Sequence, residues 1–194
     1  FENLQKTCPE YVRIDTSQKR YNLDVVTECD GNCTNLIVYL TDFDSYTLNR
    51  PQFYISGLVH GNEELGPTTI TEFVLYFCNN KNKKDKLFHN ILKSKLYIMT
   101  PMTNAYGYYH ETREDRVIYT KNNSKGTLDP NRDFPYSKGK NLTFPCMRTL
   151  SGRTINEIFN EHIISGGLTF HGGDNVIGYA WGNFMHISNR KSTE

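Results

Sequence analysis

The chain has 194 residues, 37% hydrophobic and 13% aromatic, enough to bury one substantial core, so residues 1–194 read as a single domain. A formal net charge of +1 excludes the strong basic field of a nucleic-acid binder, and the run Lys81-Asn82-Lys83-Lys84 reads as a solvated loop. Apolar runs fall short of the ~18 residues a bilayer span needs, which leaves no transmembrane segment in this sequence.

In chain order, residues 11–14 and 21–26 are short β-rich runs separated by a polar turn, and they predict a hairpin. Residues 36–40 and 53–59 are continuous apolar runs of strand length, the pattern of strands covered on both faces of a sheet. After Gly66-Pro67, residues 68–78 predict a helix with proline at its first turn. A strand over 95–101, a helix over 154–164, a strand over 168–170 that ends at His171, and a strand over 176–181 complete the pattern. Alternation of this kind predicts an α/β fold built on a mixed sheet.

The five cysteines lack the paired spacing of a structural zinc site, because Cys29-x-x-x-Cys33 is not followed by a second Cys or His pair. Asn-x-Ser/Thr sequons at Asn32, Asn122 and Asn141 fall in hydrophilic, turn-like segments that tolerate a glycan. Cysteines and sequons together favour an oxidising, secretory or extracellular location. Five is odd, so one thiol is free or pairs outside the chain.

The most chemical stretch is His60-Gly61-Asn62-Glu63, joined further on by Thr169-Phe170-His171. Two imidazoles and a carboxylate suffice to hold one Zn2+, and three protein ligands leave a fourth position for water, the layout of a hydrolase. His60 and Glu63 fall in the turn between a strand and a helix, and His171 ends another strand; they converge on one ion if those two strands lie close together. Gly61, Gly66, Gly172 and Gly173 let the chain turn sharply beside the metal. A lone His-x-x-Glu pair arises by chance in many chains with six histidines, so the weight falls on what accompanies it.

What accompanies it is Thr100-Pro-Met-Thr-Asn104-Ala-Tyr-Gly107, then Asp129-Pro-Asn131-Arg132-Asp-Phe-Pro135, then Thr169-Phe-His171-Gly-Gly. In that order and spacing the motifs resemble the zinc metallocarboxypeptidases of the carboxypeptidase A/B type. Asn-Ala-Tyr-Gly in place of the commoner Asn-Pro-Asp-Gly, and Asp-Pro-Asn-Arg in place of Asp-Leu-Asn-Arg, look more like a divergent secreted branch known from protists than like a digestive enzyme.

The resemblance implies an α/β/α domain with a mixed sheet, zinc on His60, Glu63 and His171, and peptide or protein C-termini as substrate. Arg132 with Asn131 matches the family's clamp for the substrate carboxylate, and a planar guanidinium has the geometry for that bidentate pair. A second cation should stabilise the developing oxyanion. Arg113, Arg116 and Lys121 compete for that part, and Arg113 is preferred. Gly172-Gly173 matches the place where related enzymes bring backbone against substrate, whereas Tyr179 and Trp181 read as strand packing.

The family's general base is a glutamate well downstream of the second histidine, and the acids beyond His171 are Asp174 and Glu194, neither at the matching place. The chain therefore reads as the N-terminal two-thirds of the domain, with the C-terminal part absent and association with that part or with neighbouring proteins expected. Alternatives from other classes are a catalytically inactive extracellular binding or structural module, and a zinc amidase or deacylase on the same scaffold.

Overall fold

A computed structural model describes residues 1–82, 86–118, 126–135 and 146–179. The elements in order are α1 (Glu2–Thr7), β1 (Val12–Thr16), α2 (Ser17–Tyr21), β2 (Leu36–Leu40), β3 (Gln52–Ser56), α3 (Leu65–Asn79), α4 (Lys86–Ser94), β4 (Leu96–Thr100), α5 (Ala105–Tyr109), β5 (Asp115–Arg116), β6 (Thr127–Leu128), α6 (Leu150–Glu161) and β7 (Ile164–Thr169). A 3-10 turn, Pro130–Arg132, lies between β6 and α6.

The main sheet has five strands in the order β1-β2-β4-β3-β7. Its β1–β2 and β2–β4 pairs are antiparallel, and its β4–β3 and β3–β7 pairs are parallel. The mixed α/β architecture expected from the alternating pattern is the one observed. Strand geometry sends successive side chains to opposite faces. On β2, Val38 and Leu40 join Met99 of β4 under Ile70, Val74 and Phe77 of α3 and Phe88 and Leu92 of α4. Ile37 and Tyr39 face the other way, with Leu96, Ile98 and Tyr54, against Ile158 of α6. Helices therefore cover both faces, which is why β2 reads as an unbroken apolar run.

In α3, Ile70, Val74, Phe77 and Cys78 form the buried stripe, with Pro67 in the first turn, where a missing N–H costs nothing. A disulfide joins Cys8, after α1, to Cys78, at the end of α3, and a second joins Cys29 to Cys33. Cys146 is the odd thiol, free and exposed.

Three expectations are corrected. Residues 21–26 form no strand: Thr16 accepts from Lys19 N and caps a helix through Tyr21, Asn22 ends it with a left-handed backbone, and β1 takes β2 as its partner, pairing Val12 with Leu40. The helix expected over 154–164 starts at Leu150 and ends at Glu161, and Ile164 opens β7 instead. Of the strand expected over 176–181, residues 176–179 have no strand structure, and Val176, Ile177 and Tyr179 are exposed. Apolar alternation makes no strand without a ladder partner and a face to bury. Tyr179 is therefore exposed rather than part of a buried strand, and Trp181 lies outside the described residues.

Candidate metal centre and active site

Strands β3 and β7 are parallel neighbours, and their last residues, Ser56 and Thr169, pair with one another. The turns beyond them therefore open at the same edge of the sheet, the carboxyl edge at which open α/β sheets hold ligands. The turn after β3 carries His60 and Glu63, and the residues after β7 carry His171.

The His60 turn is held in a conformation the chain would not choose alone. Leu58, fully buried, sits at φ 54°, left-handed for a residue with a bulky side chain, a strain of about 1–3 kcal/mol. Two hydrogen bonds fix it, from Thr103 N to Gly57 O (3.1 Å) and from Asn104 N to Leu58 O (2.9 Å). The buried Asn104 side chain donates to Val59 O (3.3 Å) and Arg113 O (3.4 Å) and accepts from Gly107 N (2.7 Å). It thereby splices the His60 turn to the Arg113 segment. Of the four glycines expected to ease sharp turns, Gly173 has a left-handed φ of 100°. Gly61 serves close approach instead, since a Cβ there would lie 2.0 Å from the Gly107 carbonyl carbon.

His60 Nδ1 lies 2.8 Å from Glu63 Oε1, His171 Nδ1 lies 2.8 Å from Glu63 Oε2, and the two Nδ1 atoms are 3.1 Å apart. One ligand atom from each of the three residues falls within 4.8 Å of the others. Ligands about 2.0–2.2 Å from a tetrahedral zinc are separated by roughly 3.3 Å, so the set is sized for one such ion. The donor chemistry fits as well. His60 Nε2 is 3.1 Å from Asp129 Oδ1, and an ionised carboxylate accepts only, so Nε2 carries the hydrogen and Nδ1 turns a bare lone pair toward the cluster.

Burial works to raise the Glu63 carboxyl, but donation by Gly172 N–H (3.0 Å) and the contacts with His171 and His60 outweigh it, holding the group below its ordinary value. Asp129 behaves alike: burial raises it, and the Asn131 N–H with the contacts to His60 and Arg113 bring it down. Both carboxylates are thus ionised around neutrality, as ligand and ligand support require.

Arg113 lies against this centre, with Nη1 3.3 Å from Glu63 Oε1 and Nε 3.1 Å from Asp129 Oδ2. Arg116 instead pairs with Glu28 (2.9 Å) and donates to Gly126 O. Lys121 lies outside the described residues, as do Asn122, Asn141, His186 and Glu194. Asn131 and Arg132 occupy the 3-10 turn directly after Asp129, whose Oδ1 accepts from Asn131 N (2.8 Å), and both are exposed. Asp174 is exposed beyond the glycine pair. Asn104 and Asp129 both stand within the sequence motifs, yet spacing alone does not disclose the work their side chains do.

Residues 1–193 match the sequence model of the zinc carboxypeptidase family. The chain belongs to that family. Carboxypeptidase B of Astacus astacus is 26% identical over 153 residues, 69% of this chain and 49% of its own length. Carboxypeptidase D of Anas platyrhynchos is 27% identical over 130 residues, 67% of this chain and 9% of its own length. Among solved structures, carboxypeptidase A from Helicoverpa armigera shares the fold with a TM-score of 0.67 at 15% identity, over 89% of this chain and 44% of that one. The chain thus spans about half or less of the length of these relatives. No helix among the described residues is long and apolar enough to cross a membrane.

Proposed function

We propose that this chain is the zinc-binding part of a secreted metallocarboxypeptidase that hydrolyses the C-terminal peptide bond of peptides or proteins. The observation that carries the reading is the convergence of His60, Glu63 and His171 at the ends of two adjacent parallel strands, with the Arg113 guanidinium against them. Zinc in a ligand set of this kind supplies Lewis-acid polarisation of a carbonyl and acidifies water.

The chain's own residues do the rest. Arg132, with the Asn131 amide, receives the terminal carboxylate of the substrate as a charge-assisted pair and so sets which bond is cut. Arg113 stabilises the negative charge that develops on the scissile carbonyl oxygen, its own position set by Glu63 and Asp129. Asp129 holds the His60 imidazole in the metal-binding tautomer. Glu63 and Asp129 are both engaged by imidazoles, so neither serves as the proton-transfer carboxylate. The two disulfides support a secretory setting. Exposed Phe159, Ile163 and Leu168 around β7, whose β3 pairing is its sole ladder among the described residues, support coverage of that edge by the protein's own C-terminal portion or by a neighbouring protein.

The test is release of the C-terminal residue, followed by mass spectrometry, from paired peptides with a free or an amidated terminus. The complete gene product should trim the free acid and spare the amide. Equal cleavage of both, or cleavage at internal bonds, would contradict the reading.

A further inference from the structure

Two carboxylates outside the metal centre are buried almost completely, and both point at the start of α6. Asp115, 1% exposed, accepts from Ser151 N through Oδ2 (2.8 Å) and from Arg116 N through Oδ1 (2.6 Å). Asp133, also 1% exposed, accepts three bonds through Oδ2, from Arg148 N (2.8 Å), Thr149 N (2.7 Å) and Thr149 Oγ1 (2.8 Å). Its own carbonyl accepts from Met147 N (2.7 Å). Gly152 makes room for it, because a Cβ there would lie 2.7 Å from Asp133 Oδ2. The bonds from Thr149 N and Ser151 N satisfy N–H groups that the N-terminus of α6 leaves unpaired.

Both carboxylates are close in the chain to residues that face the substrate. Asp115 lies two residues beyond Arg113, and Asp133 directly follows Arg132. The antiparallel pair β5–β6 joins the two segments, matching Asp115 with Leu128, the residue before Asp129. Helix α6 is itself fixed, with Ile158 in the core under the sheet and Ser151 Oγ bonded to Thr103 O (2.8 Å). Arg113 is 46% exposed at its side chain, and Asn131 and Arg132 are exposed too, so where their backbone is held decides where they reach.

We propose that Asp115 and Asp133 are positioning residues that aim Arg113 and the Asn131-Arg132 pair at the substrate by tethering both segments to the N-terminus of α6. The inference rests on the carboxypeptidase reading and extends it from the residues that meet substrate to those that hold them. It also makes unlike demands on the two carboxylates. Both Asp115 oxygens accept, so an amide in its place turns an N–H against an N–H. All three donors to Asp133 go to Oδ2, so an amide oxygen there keeps those bonds, while the ion pair of Oδ1 with Arg148 Nε (3.8 Å) is lost.

The test uses the complete zinc-loaded protein and a free-acid peptide, with zinc content and melting temperature measured beside the kinetics. Asp115→Asn should lower kcat by ~10²-fold, the scale of a small misplacement of a catalytic group. Asp133→Ala should raise KM roughly tenfold or more, and Asp133→Asn should restore it, with zinc retained in all three. If Asp115→Asn or Asp133→Ala fails to fold, Ser151→Pro and Thr149→Val each delete one donor to the same carboxylate and should shift kcat and KM respectively. Wild-type kcat and KM in folded, zinc-loaded variants would overturn the inference while leaving the carboxypeptidase reading intact. An inactive wild-type protein would remove both.

Discussion

Asp129 Oδ1 stands 3.1 Å from His60 Nε2, on the side of the imidazole opposite Glu63, so the ring is held between two carboxylates. Outer partners of this kind raise ligand basicity and fix ring orientation. Asp129→Ala is expected to weaken zinc binding ~10–100-fold, read by competition with a chelating dye. An unchanged affinity would mean that His60 is oriented by packing alone.

Arg132→Ala is expected to reduce kcat/KM for free-acid peptides by roughly 10–100-fold, the equivalent of a lost charge-assisted bond worth about 1.5–3 kcal/mol, with zinc content unchanged. Steady-state kinetics on a free-acid peptide checks this. Wild-type values would place the carboxylate clamp elsewhere.

The Cys8–Cys78 disulfide closes a loop across a sequence separation of 70 residues and ties α1 to the far end of α3. Chain-entropy arguments assign such a closure about 4 kcal/mol, and measured losses run to about 2–5 kcal/mol. A Cys8→Ala, Cys78→Ala variant should therefore melt roughly 5–15 °C lower in calorimetry. An unaltered melting temperature would show that the α1–β1 packing suffices without it.

Two carboxylates outside the candidate metal centre give stability opposite slopes with pH. Burial raises Glu161, but bonds from Arg20 and Tyr21 outweigh it and leave its pKa lowered, so its contribution is present above the unfolded value and lost as pH falls through the folded one. Burial pushes Asp115 from 3.8 to about 6, so its contribution is present below the unfolded value and fades as pH rises through about 6. Glu161→Gln should flatten the acid limb of a denaturant-derived stability profile, and Asp115→Asn should flatten the decline toward pH 6. A Glu161→Gln profile that keeps the wild-type slope below pH 5 would contradict the assignment.

Local signals carried much of the fold. Strands β2, β3 and β4 and helix α3 were legible because both-face burial and a buried helical stripe leave marks within a few residues. Residues 21–26 misled because strand pairing is a non-local choice: Val12 finds its partner at Leu40, across an intervening helix cap at Thr16. Helix α6 began early for a related reason. Thr149 caps it without the Glu or Gln expected three residues on, since Gly152 stands there and the nearby charge comes from Asp133, remote in sequence. The three candidate ligands stood out in the motif spacing, but their convergence needed β3 and β7 to be neighbours, which spacing does not encode.

Metal analysis of the purified complete protein beside a His60→Ala, His171→Ala double variant tests the central claim most directly. One zinc per chain in the wild type and none in the variant is the predicted result. Full occupancy in the double variant would contradict the assignment of His60, Glu63 and His171 as the metal centre.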